Sequence, residues 1–127
     1  MKASLLPVKS LNEAKSAIGK VNASSISVEI MALKAVHRLV KFEDVDAKTA
    51  NVVKQEMLSR GGDVAVSQDV AKFEKKRTDM IVMGTLAQYV RLIRKLRRQP
   101  FGDCLKVADG LQELLFKDFD VETAPVW

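Results

Sequence analysis

The sequence predicts an α/β fold, a small layer sandwich with a short mixed sheet and about four helices. Three observations lead there. Stretches with helical spacing of apolar residues alternate with stretches of period-two or continuous apolar character. Met80-Ile81-Val82-Met83 is an uninterrupted apolar run of the kind found in a central strand covered on both faces. Immediately after it, Leu86, Tyr89, Val90, Ile93 and Leu96 recur as one apolar stripe, opposite a cationic face, and the stripe stops before Pro100.

The other elements follow in chain order. Ser10 with Glu13 forms a capping-box pattern ahead of Leu11, Ala14, Ile18 and Val21, so a first helix starts there. Residues 22–27 are small and polar, which suits a loop. From Ile26 to Phe42 the residues are β-prone, with Val36, Val40 and Phe42 on one parity and His37, Leu39 and Lys41 on the other, so at least one strand is expected. Asp46 is a good N-cap for a helix over 47–60 that carries Ala50, Val53 and Met57 on one face. Gly61 falls where a left-handed residue ends a helix. Val64 and Val66 alternate with other residues as in a half-buried strand. Thr85 caps the third helix. Asp103 begins a fourth, with Leu105, Ala108, Leu111, Leu114 and Leu115 inward, and residues 121–127 read as a Pro-containing tail.

At 127 residues the chain has room for one core, and residues 1–127 are read as a single domain: a helix and loop (1–26), a central block (27–102) and a C-terminal helix with an acidic tail (103–127). The net charge of +5 is unevenly spread. Residues 72–102 carry 9 Lys/Arg against 2 Asp/Glu, whereas residues 103–127 carry 2 against 6. A basic middle of this kind suits an anionic partner, and the acidic tail could fold back on it. No apolar run approaches the ~20 residues of a membrane span, and the patch from Leu5 to Val8 is broken by Pro7 and too short for a secretory leader. With Cys104 the sole cysteine, neither an internal disulfide nor a thiolate zinc cluster can form, and a reducing cytoplasm is the expected location.

Few residues point to chemistry. Arg91, Arg94, Lys95 and Arg98 share one helix face at i, i+3, i+4 and i+7, where like charges repel by ~0.2–0.5 kcal/mol per pair and an anion would relieve them. They form the candidate anion- or partner-binding face. Gly84 and Thr85 join it, because a strand-to-helix turn can offer backbone N–H groups to phosphate. Gly84 stands alone, however, without a phosphate-loop lysine or a dinucleotide-binding fingerprint, so no cofactor is expected. His37, the only histidine, is remote in sequence from Cys104, and a packing role accounts for it. Asp44-Val45-Asp46 lacks the oxygen-ligand ladder of a calcium loop, so no metal is expected either. Tyr89 is the one aromatic of the cationic helix and lies on its apolar stripe, which counts against base stacking and hence against nucleic acid.

Three segments, VEIMALKAV (Val28 to Val36), VKQEMLSRGGDVAV (Val53 to Val66) and IVMGTLAQYVRLIRKLRRQPFG (Ile81 to Gly102), resemble the N-terminal region that precedes the pterin-binding barrel in long-form bacterial dihydropteroate synthases. The resemblance covers residues 27–102, with Leu33 in place of an expected proline. It implies an accessory domain of folate biosynthesis whose partner is a synthase barrel or another copy of itself. In such enzymes the catalytic groups belong to the barrel, whose motifs do not occur here. No catalytic residue is therefore carried over, and the chain is not expected to be a synthase on its own. Two alternatives are a contribution in trans to pterin-phosphate binding near Arg91 to Arg98, and a small RNA- or nucleotide-binding protein.

Overall fold

A computed structural model describes residues 1–72 and 75–126. The described elements are α1 (Leu11–Gly19), α2 (Ser25–Lys34), β1 (His37–Asp46), α3 (Ala47–Ser59), β2 (Asp63–Val66), α4 (Gln68–Ala71), β3 (Arg77–Thr85), α5 (Leu86–Arg97) and α6 (Cys104–Leu115). The α/β class is as expected, but the sheet is antiparallel throughout rather than mixed, in the order β1-β3-β2. Two helices beyond the expected four are present. One is the single turn α4. The other is α2, which takes the first half of the β-prone run from Ile26. The Ser24 hydroxyl accepts the Ser27 N–H and starts that helix, and Glu29, Met31, Ala32 and Leu33 are good helix formers, with Ala32 and Leu33 buried. The period-two parity operates only from Val36 onward, where Val36 and Val40 are buried while His37, Leu39 and Lys41 are exposed.

β3 is the middle strand, pairing Lys41 and Ala65 across Ile81. Among the described residues it is covered on one face only. Met80 and Val82 are buried beneath α3 and α5, whereas Ile81 and Met83 are half-buried beside exposed Leu39 and Ala65. Four apolar residues in a row thus mark a central strand without a second helical layer. Between Phe42 and Val45 the β1 register shifts, with Asp44 at φ 55° and its N–H donating to Asp79 Oδ1 at 3.0 Å. This bulge returns Val45 to the core.

α3 ends as its glycine predicts, with Gly61 at φ 93°. α5 is held in place by Tyr89, the largest fully buried side chain. Its hydroxyl lies 2.8 Å from the carbonyl oxygens of both Arg38 and Val82, so one proton is shared between two strands. α1 buries Ala14 alone, and Val21 lies past its end, 77% exposed. The inward face of α6 is rotated from the expected one: Cys104, Val107, Ala108 and Leu111 are buried, while Leu105 and Leu114 are exposed. The rotation is fixed at the start of α6. There Asp103 does not cap its own helix. Its carboxylate accepts the Asp46 N–H at 2.8 Å, and its N–H donates to Thr49 Oγ1 at 2.8 Å. The segment after α6 is not a loose tail, since Val121 and Ala124 are buried.

Candidate functional site

The four cations of the predicted face do not remain together as a free set. Arg94 turns toward the C-terminal segment, its Nε donating to the Val121 carbonyl at 2.7 Å and its Nη2 to that of Ala124 at 2.8 Å. Arg97, outside the predicted set, reaches Gln112 Oε1 at 3.3 Å and Glu122 at 3.5 Å. The acidic segment therefore folds back on α5, but backbone carbonyls take most of the contact. Lys95 and Arg98 are exposed, Arg91 is half-exposed, and none of the three forms an ion pair among the described residues.

Gly84 and Thr85 are shaped by packing. A Cβ at Gly84 would collide with the Met57 methyl and with Gln88. Thr85 completes a capping box, its N–H donating to Gln88 Oε1 at 2.8 Å while its hydroxyl accepts the Gln88 N–H; the Leu86 N–H donates to the Val36 carbonyl. The amides at this turn are thus mostly spent. Thr85 and Arg91 do share a shallow hollow of about 370 Å³ with Lys34, Arg60 and Gln88.

A larger opening, of about 1110 Å³, was not foreseen. One wall is the face of α3 that presents Ala47, Ala50, Asn51 and Lys54, with Lys48 at its start. The facing wall is the entry to β3, Lys75-Lys76-Arg77, with Val66 and Val70 beneath. Phe101, Gly102 and Asp103 close the end. The Ala47 N–H donates to the Lys76 carbonyl at 2.8 Å, which fastens the two walls together. Its cations come from two segments that are distant in sequence, α3 and the entry to β3, so spacing within either one could not reveal the cluster. The run Lys75-Lys76-Arg77 was the one available signal. Several of these groups are engaged: Lys54 with Asp63 at 3.0 Å, Lys75 with Asp69 at 3.2 Å, and Arg77 with Asp44 at 2.7 Å and Asp103 at 3.3 Å. Lys54 and the Val64 N–H hold the Asp63 carboxyl below its ordinary range, the backbone contribution being the larger. Lys48 and Lys76 are exposed and form no ion pair among the described residues.

His37 and Cys104 lie toward opposite ends of β1, a separation of roughly 30 Å for ten extended residues, so they form no catalytic pair. The Cys104 thiol is buried at the start of α6, where burial pushes its pKa up. Among the described residues, no three His, Cys, Asp or Glu side chains converge as metal ligands, and no helix is long and apolar enough to cross a membrane.

Three curated proteins are similar to this chain. A probable bifunctional folylpolyglutamate synthase/dihydropteroate synthase of Halobacterium salinarum is 38% identical over 95 residues, 75% of this chain and 11% of the relative. The bifunctional dihydropteroate synthase/dihydropteroate reductase of Helicobacter pylori is 31% identical over 97 residues, 75% of this chain and 26% of that protein. A second probable folylpolyglutamate synthase/dihydropteroate synthase, from Haloferax volcanii, is 32% identical over 117 residues, 91% of this chain and 13% of the relative. The chain spans about a tenth to a quarter of the length of these relatives, and each is named for two activities of which dihydropteroate synthase is one. No family model matches the chain, and no solved structure matches it.

Proposed function

We propose that this chain is an accessory module of folate biosynthesis that works beside a dihydropteroate synthase barrel without carrying out the synthase condensation itself. One observation carries the reading: relatives with a dihydropteroate synthase activity align along three quarters or more of this chain, yet the chain spans only 11–26% of them. A barrel of ~250 residues cannot fit in what is matched. The docking surface is the exposed part of the α5 cationic face, Arg91, Lys95 and Arg98, with Arg94 fixing the C-terminal segment alongside. Exposed charges bind in a salt-dependent way, because the Debye length falls from ~10 Å at 0.1 M to ~3 Å at 1 M. Purified chain mixed with a purified synthase barrel should co-elute at low salt and separate at 1 M, and the chain alone should not condense the two synthase substrates. Turnover by the chain alone in a preparation free of host synthase would overturn the reading, and so would failure to co-elute at low salt.

A second reading is favoured by the Helicobacter pylori relative. Its match occupies 26% of its length and leaves about three quarters, enough for one barrel of ~250 residues. Its second activity, dihydropteroate reduction, would then belong to the part that aligns with this chain. Side chains supply no hydride, so a reductase of this kind needs a bound hydride carrier. Supplying the chain with dihydropteroate and a reduced nicotinamide distinguishes the two: oxidation that depends on both protein and pterin favours the reductase, and none favours the accessory module.

A further inference from the structure

We propose that the cleft between α3 and the entry to β3 is a binding site for a small molecule that carries a phosphate or diphosphate on a flat ring. The cleft, at about 1110 Å³, is slightly larger than the ~300–1,000 Å³ usual for a ligand pocket and has room for a ringed ligand. Lys48, Lys54, Lys75, Lys76 and Arg77 line it against two carboxylates, Asp46 and Asp103, and both of those are occupied inside the fold. Lys54, Lys75 and Arg77 are paired with Asp63, Asp69 and Asp44, which leaves Lys48 and Lys76 as the cleft cations without an ion pair among the described residues, and low-dielectric walls concentrate their field. Lys48 stands in the first turn of α3, the wrong end of that helix for a cation, and shares the cleft with Lys76, which likewise forms no ion pair among the described residues. Such an arrangement is unfavourable when empty and is relieved by an anion.

The helix itself is not the anion site. The Ala47 N–H is taken by the Lys76 carbonyl and the Thr49 N–H by the Asp46 carboxylate, so two of the first helical amides are spent and the charge that holds an anion comes from lysine side chains. Lys48 and Lys76, brought to one end of the cleft by the bond between Ala47 and Lys76, are the groups best placed for it. The rest of the lining suits a ring. Phe101 is 44% exposed, Ala47, Ala50, Val66 and Val70 make an apolar floor, and Asn51 offers an amide. Phosphate alone would need neither the floor nor the exposed aromatic, whereas a nucleic-acid strand would need more than one stacking ring. The inference stands apart from the accessory-module reading, whose docking face lies on α5.

The test is titration of the whole chain, followed by calorimetry, with adenosine monophosphate, 6-hydroxymethyldihydropterin pyrophosphate, inorganic pyrophosphate and unphosphorylated adenosine. At least one ringed phosphate should bind more tightly than pyrophosphate or adenosine, and which one binds tells a nucleotide from a pterin source. K48E/K76E should weaken that binding by about tenfold or more, and Phe101→Ala should weaken the ringed ligand but not pyrophosphate. K106E/K117E serves as the control that changes charge elsewhere, at two exposed lysines outside the cleft and the α5 face, and unchanged thermal melting shows that the variants fold. The proposal is overturned if no ringed phosphate saturates the protein, if K48E/K76E leaves binding intact, if pyrophosphate binds as well as the ringed ligands, or if a mixed oligonucleotide binds more tightly than any of them. Loss of ligand binding with barrel capture retained would leave the accessory-module reading standing.

Discussion

Asp103 and Thr49, 54 residues apart, lock the starts of α6 and α3 together: the Asp103 N–H donates to Thr49 Oγ1 at 2.8 Å, and Thr49 Oγ1 in turn lies 3.3 Å from Asp46 Oδ2. Thr49 is fully buried, and the neighbouring Gly102 adopts φ 52°, with a hypothetical Cβ only 2.6 Å from the Thr49 hydroxyl. Thr49→Val keeps the shape and removes the hydroxyl. It should cost about 1–3 kcal/mol, because a part-buried N–H loses its acceptor. Gly102→Ala should cost a comparable amount through strain and the clash. Denaturant unfolding of the two variants checks both.

The single tyrosine makes a second prediction easy to read. Burial pushes the Tyr89 pKa well above its ordinary value of 10.0. The folded chain should therefore show no tyrosinate absorbance as pH rises through 10. The unfolded chain loses that proton near pH 10 while the folded one keeps it, so stability is fully present below this pH and declines above it. Tyrosinate appearing near pH 10 with the fold intact would refute the buried position. Tyr89→Phe should cost about 1–2 kcal/mol, since two carbonyls then share no donor.

Arg94→Ala should free the C-terminal segment while leaving the sheet in place. Two part-buried carbonyls, of Val121 and Ala124, lose their donors, and limited proteolysis should cut near them far faster. Arg94→Lys should restore little, because an ammonium lacks the planar fork that meets both oxygens. Equal protease resistance in all three proteins would contradict the assignment.

The sheet has one packed face and one open face, so two adjacent substitutions should differ. Val82→Asp buries a carboxylate and should cost at least about 3 kcal/mol, whereas Ile81→Asp on the open face should cost about 1 kcal/mol. Thermal melting of the pair measures the difference.

Local signals carried much of the fold. The caps at Ser10, Asp46 and Thr85, the left-handed Gly61 and the stripe of α5 each depend on residues within a few positions, and they appear where spacing places them. What spacing could not supply is set at long range. The Ile26–Lys34 segment is helical because Ser24 caps it and the core takes Ala32 and Leu33, which overrides its β preference. The phase of α6 follows from an anchor on α3, not from its own leucines. The cationic face on α5 was visible as a pattern, but the diversion of Arg94 to two backbone carbonyls was not. The cleft gathers lysines from α3 and from the start of β3, so no single stretch announces it.

The strand order β1-β3-β2 also has a kinetic meaning. Lys41 and Ala65 both wait for Ile81, and β1 and β2 never bond to one another. A nascent chain that has reached residue 76 can form α1, α2 and α3, yet it has no hairpin to nucleate a sheet. Both of its future edge strands stay unpaired until β3 emerges and zips them together from the middle. Folding should be paced by these long closures, slower than for a helical bundle of the same size. Until then the edges of β1 and β2 are open to pairing with any other strand that meets them first.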